Sequence, residues 1–279
     1  MIVDDRIADL VRRTTARTLV HDVATILSRE GIPVMPLKGA LLAETVYRSG
    51  PFRAFTDVDL LVPEEDFERA VEALERGAFV VAERALSADA SSVLVPPGLG
   101  VTIDLHRRLF GRGLFALPTW ALFARGTRDR SLFGVEVIVP DPRDQLAHAI
   151  GHYVKSRPTP AAETLALDLS LVAETHGVRP DVLARHLVSH GLGRAARLAL
   201  PIAAEARPDR GAFARAVLGG LPPDPVGDRL ARLVRDRLLE GDPGSLKSLV
   251  GQHALDRTLP HALVSAALHA EDTLRRRWV

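Results

Sequence analysis

The sequence predicts an α+β unit followed by an all-helical unit, with a boundary near residue 140. Up to that point, helical patterns alternate with short apolar extended runs, of which the clearest is Thr56 to Val62. From about Pro142 onward every segment has helical periodicity, and proline or glycine clusters separate the segments. We therefore assign residues 1–140 to a first domain and residues 141–279 to a helical C-terminal domain.

The elements of the first unit follow from local signals. An amphipathic helix over residues 5 to about 30 ends at Gly31, and an extended run then leads into Lys38-Gly39. A second helix covers Ala40 to Tyr47, and a third begins with acidic residues after Pro63 and ends at Gly77. Further strands are predicted at residues 79–82, 92–95, 101–106 and 135–139. The glycine and proline residues at 96–100 indicate a hairpin.

Composition excludes several classes of function. The chain has 279 residues, 47% of them hydrophobic, and a net charge of +1, so we expect no long duplex nucleic acid as a partner. It has no cysteine, which excludes disulfides, thiolate metal sites and thiol catalysis. The N-terminus does not resemble a signal peptide, and no run of about 18 apolar residues indicates a membrane span. These features predict a cytoplasmic protein.

Two acidic residues lie in the clearest strand. Asp57 and Asp59 alternate along Thr56 to Val62, so their side chains share one face of the strand, roughly 7 Å apart. An ionised carboxylate in a buried strand is costly unless it is paired or bound to a cation. The pair therefore predicts a metal, and Mg²⁺ above all, because Mg²⁺ takes oxygen ligands and bridges to substrate phosphates. The alternative is a strand end with two solvated acids.

A third acid, Asp104, lies in another apolar strand. If that strand neighbours the one that carries Asp57 and Asp59, the three carboxylates converge in the layout of two-metal phosphoryl and nucleotidyl transfer. His106 shares the strand face of Asp104. It is interpreted as a neighbour of the metal ligands, as a contact for acceptor or nucleotide, or as a structural residue at the strand end.

A phosphate-binding side is predicted before the acidic strand. Lys38-Gly39 stands between a short strand and a helix, where Gly39 would let the backbone approach a ligand and the helix amides would face an anion. The alternative is a turn glycine beside an exposed lysine. Of the 36 basic residues only three are lysines, and a lysine is a compact charge suited to phosphate. Arg53 either binds a phosphate or pairs with Asp57.

These motifs together resemble a known family. The residues that carry the resemblance are Lys38-Gly39, Tyr47, Arg53, Asp57-Val58-Asp59-Leu60-Leu61-Val62 and Asp104-Leu105-His106. They are similar to an uncharacterised nucleotidyltransferase family of bacterial proteins within the polymerase-beta-like superfamily. The resemblance is specific over residues 32–106. It implies a nucleotidyltransferase core over residues 1–140, with a small mixed sheet and helices on one side, joined to a helical C-terminal region.

The resemblance also implies roles for individual residues. Asp57, Asp59 and Asp104 match the family's Mg²⁺-binding triad, with two ions expected and a nucleoside triphosphate as substrate. Lys38 and Gly39 match its phosphate-side loop. The superfamily usually has a Gly-Gly or Gly-Ser pair closer to its Asp-x-Asp strand, so the way its other members hold a triphosphate does not carry over to this chain.

The helical unit contains a second candidate group. His148, His152 and Lys155 share one helix face at i, i+4 and i+7, and the family resemblance matches Asp168 on the next helix. In the functional interpretation Lys155 reaches the triphosphate, and His152 or Asp168 meets the acceptor. In the structural interpretation these residues pack helices together, with Lys155 paired to Asp168. A zinc protease site is not indicated, because Ala149 follows His148 where that motif has glutamate.

The sequence therefore predicts a Mg²⁺-dependent transferase that moves an NMP from an NTP to an acceptor hydroxyl and releases pyrophosphate. The acceptor is a small molecule, a protein side chain or an RNA end. One alternative is a toxin-like enzyme that modifies RNA ends held in a groove lined by Arg107, Arg108 and Arg112. Others are a non-catalytic nucleotide-binding protein and an enzyme that hydrolyses or phosphorolyses a nucleotide.

Overall fold

A computed structural model of the chain describes residues 5–48, 53, 55–85, 91–98, 100–110, 115–155 and 161–239. Proximity of Cα atoms divides the chain into two compact units. The first unit comprises Met1–Leu109 and Pro118–Asp141, and the second comprises Phe110–Leu117 and Pro142–Val279. The segment Phe110–Leu117 thus groups with the second unit, whereas a single boundary at residue 140 would place it in the first.

The first unit combines four helices and seven strands in its described residues. Its helices are α1 (Asp5–Arg29), α2 (Lys38–Thr45), α3 (Phe67–Arg76) and α4 (Thr119–Arg125), and a 3₁₀ turn (Glu64–Asp66) precedes α3. Its strands are β1 (Met35–Pro36), β2 (Asp57–Leu61), β3 (Val80–Glu83), β4 (Ser91–Val95), β5 (Thr102–His106), β6 (Thr127–Asp129) and β7 (Val137–Val139). Every element predicted for this unit is present. The short elements α4 and β6 were not predicted.

Five strands form a mixed sheet in the order β1-β2-β5-β4-β3. Strands β2 and β5 are parallel, and the other neighbours are antiparallel. Strands β6 and β7 form a separate two-stranded sheet. This arrangement confirms the predicted α+β fold class and the pairing of the two acidic strands, on which the convergence of their carboxylates depended.

One face of the mixed sheet belongs to an apolar core. Val58 and Leu60 of β2 and Ile103 and Leu105 of β5 are fully buried in a cluster with residues of α1, α2 and α3. Helix α1 contributes the buried side chains of Ala16, Leu19, Val20, Val23, Ala24 and Leu27. Because side chains alternate along a strand, the residues between the core positions project from the opposite face of β2 and β5.

The second unit is helical throughout its described residues. Its helices are α5 (Pro142–Lys155), α6 (Ala162–His176), α7 (Pro180–Ser189), α8 (Gly193–Ala206), α9 (Ala212–Gly219) and α10 (Pro225–Leu239). The break predicted between α6 and α7 is present: Gly177 ends α6 in the left-handed conformation (φ +63°), and Pro180 is the first residue of α7. A hydrogen bond of 2.8 Å between the buried groups His186 Nε2 and Asp144 Oδ1 joins α7 to α5.

In the part of the chain that the structure describes, no helix has both the length and the apolar character needed to span a bilayer. The C-terminal arginines Arg275 to Arg277, which the sequence suggested are a solvated helix end, lie outside the described residues.

Candidate active site

The polar face of β2 and β5 brings three candidate residues together. Asp59 lies opposite Asp104 in the parallel pairing, and Leu61 lies opposite His106. One possible ligand atom each from Asp59, Asp104 and His106 lies within 4.8 Å of the other two. We refer to these three residues as the acidic cluster. Residues 45 positions apart thus meet because two distant strands pair in this register.

His106 contacts both carboxylates of the acidic cluster. Its Nε2 atom lies 3.0 Å from Asp59 Oδ1 and 3.4 Å from Asp104 Oδ2. His106 and Asp59 are each only 5% exposed, so neither relies on bulk water for its partners. His106 thus lies in direct contact with the predicted metal ligands, and its role stays a prediction.

Asp59 is held in its ionised form by its neighbours. Burial alone would raise its pKa, because a charged carboxylate is disfavoured away from water. Hydrogen bonds and positive charge from His106 and Lys38 outweigh burial and hold the pKa of Asp59 well below its ordinary value. The Lys38 Nζ atom donates a 2.8 Å hydrogen bond to Asp59 Oδ1. Asp59 is therefore a permanent anion at neutral pH.

Asp57 has the opposite electrostatic environment. Burial raises its pKa above the ordinary value, and the negative charges of Asp59 and Asp104 add to that effect, while Lys38 opposes it. Asp57 shares the strand face of Asp59 but is not one of the three residues that lie within 4.8 Å. An excess of negative charge at this end of β2 is what a bound cation would relieve.

The acidic cluster fits a divalent cation. Asp104 Oδ1 is buried and has no hydrogen-bond partner among the described residues, a situation that costs about 1–3 kcal/mol in a folded protein. His106 Nδ1 is in the same situation. Carboxylate oxygens and imidazole nitrogens are ligands of divalent metals, and two carboxylates match the charge of one such ion. Asp59, Asp104 and His106 are thus residues of the right type and proximity to hold a cation.

Lys38 is placed over the acidic cluster by the turn between β1 and α2. The Leu37 amide donates a 3.0 Å hydrogen bond to the Asp59 carbonyl, which fixes this turn against β2. Lys38 has a φ of +40°, a conformation that is uncommon for a residue other than glycine and usually carries strain. The alternative of an exposed lysine is therefore not observed: the Lys38 side chain is 16% exposed and bonded to Asp59.

Gly39 has a structural reason to lack a side chain. A Cβ atom at this position would lie 2.6 Å from Cβ and Cγ of Phe55 and 3.1 Å from Arg53 Nη1. Phe55, which is buried, therefore occupies the space where a side chain at position 39 would lie, and the approach of a ligand to the backbone amides of this turn stays a prediction. The same distances place the Arg53 guanidinium beside the first turn of α2.

We expect Gly39→Ala to lower the free energy of unfolding by about 1–3 kcal/mol, because a methyl group overlaps Phe55 in a packed core. Chemical denaturation measures the change. Gly100→Ala is the matched control, since a Cβ there meets no atom within 4 Å, and we expect a change within about 0.5 kcal/mol. Equal stability of the two variants would contradict the proposed overlap.

The arginines after β5 are engaged by acidic side chains. Arg107 lies 2.7 Å from Glu68 and stacks over the Phe67 ring at 4.0 Å, and Arg108 lies 3.1 Å from Glu64. These pairings offset part of the positive charge of Arg107 and Arg108, and a groove for an RNA end stays a prediction. Arg112, the third residue of that expected groove, lies outside the described residues.

The candidates in the second unit show mixed environments. His148 is buried, and its ring meets Phe110 edge-on at a centroid distance of 5.8 Å. His152 is partly buried, with its ring 6.0 Å from that of His148. Asp168 is buried in α6, and Lys155 is exposed at the end of α5. The packing of His148 agrees with the structural interpretation of this helix face. Roles for Lys155, His152 and Asp168 in transfer stay predictions.

Comparison with models of protein families identifies the family of this chain. A family model described as "Uncharacterised nucleotidyltransferase" matches residues 6–207, which include the acidic cluster and most of the described helices. The chain belongs to this family. The resemblance that the motifs carried is thereby confirmed at the level of the family, and the protein is a transferase of the nucleotidyltransferase class.

Comparisons of this nucleotidyltransferase with solved structures and with curated proteins show distant similarity or none. A solution structure of the antibiotic-resistance factor ANT(2'')-Ia is similar with a TM-score of 0.42 and 15% sequence identity, over 59% of this chain and 85% of that chain. Among curated proteins, none matches the sequence.

Proposed function

We propose that this nucleotidyltransferase moves an NMP group from an NTP to an acceptor hydroxyl and releases pyrophosphate, with a divalent cation, Mg²⁺ in the cell, bound at the acidic cluster. The observation that supports this proposal most directly is the convergence of the buried Asp59 and His106 with the partly buried Asp104, with an ammonium group beside them. Nucleotidyl transfer depends on neutralising phosphate charge while holding two reacting oxygens in line.

Each residue then has a chemical task. Asp59 and Asp104 hold the cation, and Asp57 supplies further negative charge beside them. His106 donates its Nε2–H to Asp59, with Asp104 close by, or contributes that nitrogen as a ligand. When bound, the cation would neutralise phosphate charge and make the acceptor hydroxyl more acidic. Lys38 and Arg53, at the start of α2, provide positive charge for the triphosphate.

Three finer parts of the proposal are the number of metal ions, the acceptor and the location of the protein in the cell. Two metal ions remain our expectation, with Asp57 and Asp59 shared between them. The acceptor is a small molecule, a protein side chain or an RNA end, and the pairing of Arg107 and Arg108 with glutamates weakens the charge argument for the RNA end. A cytoplasmic location also stays a prediction.

Pyrophosphate release tests the function. Each of the four NTPs would be incubated with Mg²⁺ and panels of small-molecule, protein and RNA acceptors, with chelator added to parallel reactions. We expect release with at least one acceptor, its loss with chelator, and an acceptor mass increased by one NMP. NTP binding that a chelator leaves unchanged, without release from any acceptor, would favour the non-catalytic alternative. Free NMP or NDP as the product would indicate hydrolysis or phosphorolysis.

A further inference from the structure

The Lys38 ammonium is bonded to Asp59 Oδ1, an oxygen that a metal ion at the acidic cluster would bind. We propose that Lys38 is a resident cation of the acidic cluster, which competes with a divalent ion for Asp59 and releases Asp59 when the phosphates of a nucleotide bind. The proposal rests on the proposed function for its ligand, a nucleoside triphosphate. It adds that metal binding and nucleotide binding are coupled through the side chain of one lysine.

The contact between Lys38 and Asp59 is strong enough to matter. The Nζ–Oδ1 distance is 2.8 Å, and the side chains are only 16% and 6% exposed. Charge pairs so shielded from water interact more strongly than exposed ion pairs. Asp59 Oδ1 also lies 3.0 Å from His106 Nε2, so a single oxygen has two nitrogen neighbours. The neighbouring Asp104 Oδ1, by contrast, has no hydrogen-bond partner among the described residues.

A divalent ion and the ammonium exclude each other at this oxygen. A metal ion binds a carboxylate oxygen at about 2.0–2.6 Å, so an ion on Oδ1 would lie within about 5 Å of Nζ. Like charges this close repel strongly where water is largely excluded, and the double charge of a divalent ion increases the repulsion. The nucleotide-free protein therefore holds Lys38 on Asp59 and binds a divalent ion weakly.

The position of Lys38 allows a nucleotide to reverse this state. Lys38 is the first residue of α2, where a phosphate would meet helix amides and the Arg53 guanidinium beside Gly39. Its ammonium sits on a flexible four-carbon stem, so it can turn from Asp59 to a phosphate while the backbone stays fixed. The Leu37–Asp59 hydrogen bond holds that backbone in place. The positive φ of Lys38 carries a conformational cost for a residue other than glycine.

Replacing Lys38 should change metal and nucleotide affinity in opposite directions. In Lys38→Met we expect the nucleotide-free protein to bind Mn²⁺ at least about tenfold more tightly, because a competing charge is gone. We expect binding of a non-hydrolysable NTP analogue in the presence of chelator to weaken by about tenfold, because a phosphate partner is gone. A purely structural defect would weaken both.

The experiment uses the full chain. Electron paramagnetic resonance of free Mn²⁺ and titration calorimetry give the metal affinity, and calorimetry gives the affinity for the NTP analogue. Lys38→Gln, which keeps a hydrogen-bond donor without the charge, serves if Lys38→Met does not fold. Arg84→Met removes one positive charge from an exposed ion pair of the same unit and should leave the Mn²⁺ affinity unchanged.

The outcomes separate this inference from the function on which it rests. Tighter Mn²⁺ binding by a Lys38 variant than by Arg84→Met supports the resident cation. Unchanged or weaker Mn²⁺ binding by both Lys38 variants overturns it, even if the wild-type protein releases pyrophosphate. If the wild-type protein binds neither Mn²⁺ nor NTP, singly or together, the proposed function fails as well.

Discussion

Asp59→Asn is expected to lower kcat/KM for nucleotidyl transfer by about 10³-fold, which corresponds to the loss of about 4 kcal/mol of transition-state stabilisation. Asp59 is the residue on which the other groups of the site converge: Lys38 and His106 contact its Oδ1 atom, and Asp104 lies opposite it in the sheet. An asparagine retains the shape and loses the charge that binds a cation. We also expect Mn²⁺ binding to fall below detection.

The same variant should be less stable at neutral pH. The ionised form of Asp59 is favoured in the folded state, so its contribution to stability is present at neutral pH and declines as the pH falls below the ordinary value of 3.8. We expect Asp59→Asn to lose about 1–3 kcal/mol at pH 7, because the mostly buried Lys38 ammonium loses its carboxylate partner.

Pyrophosphate release, Mn²⁺ titration and chemical denaturation measure these effects. Asp22→Asn, which removes an exposed carboxylate on α1, is the control and should behave like the wild type. Full activity in a folded Asp59→Asn variant would exclude Asp59 as a metal ligand.

Asp57→Asn is expected to raise the stability of the protein and to lower its transfer activity. Burial and the charges of Asp59 and Asp104 raise the pKa of Asp57, so its ionised form destabilises the folded state at neutral pH. Removing that charge should raise the free energy of unfolding by about 0.5–1 kcal/mol at pH 7. Transfer activity should fall by about 10²-fold, because the site loses negative charge that balances the metal and its phosphates.

The stability difference between Asp57→Asn and the wild type should depend on pH. The destabilisation by Asp57 is absent when the residue is protonated in both states, and it grows as the pH rises from its ordinary value of 3.8 through its raised folded-state value. The stability difference between Asp57→Asn and the wild type should therefore shrink as the pH falls toward that ordinary value. Saturating Mn²⁺ should also shrink it, since a bound cation offsets the repulsion among the acids.

Denaturation curves of both proteins across pH, with and without Mn²⁺, provide the measurement. A variant that is less stable than the wild type at pH 7, or a difference that does not change with pH, would contradict the crowding of negative charge at Asp57.

Local patterns in the sequence were sufficient for most of the fold. Strand β2 was predicted because its apolar and acidic residues alternate. Helix α1 was predicted because its apolar residues recur at helical spacing and a glycine follows them. In the structure that glycine, Gly31, has a left-handed conformation (φ +71°). Strand β6 was missed because the sequence Thr-Arg-Asp has no apolar pattern. Its β character comes from pairing with β7, which no local signal reports.

For the candidate site too, the sequence and the tertiary structure determined different features. The sequence by itself determined the chemistry on offer, namely isolated acids in apolar strands, a lysine and glycine before a helix, and a histidine that shares a strand face with an acid. The tertiary structure alone decided which groups meet: His106 between Asp59 and Asp104, Lys38 on Asp59, and Phe55 in the space beside Gly39.

The physical reason is that side-chain periodicity is a property of a few consecutive residues, whereas contacts depend on strand register and on competition among charges across the fold. Asp59 and Asp104 face each other only because β2 and β5 are parallel in one register. Arg107 and Arg108 carry the charge that a phosphate groove needs, and the fold places Glu68 and Glu64 beside them. A sequence pattern shows which charges are present, and only the folded chain shows which of them are already paired.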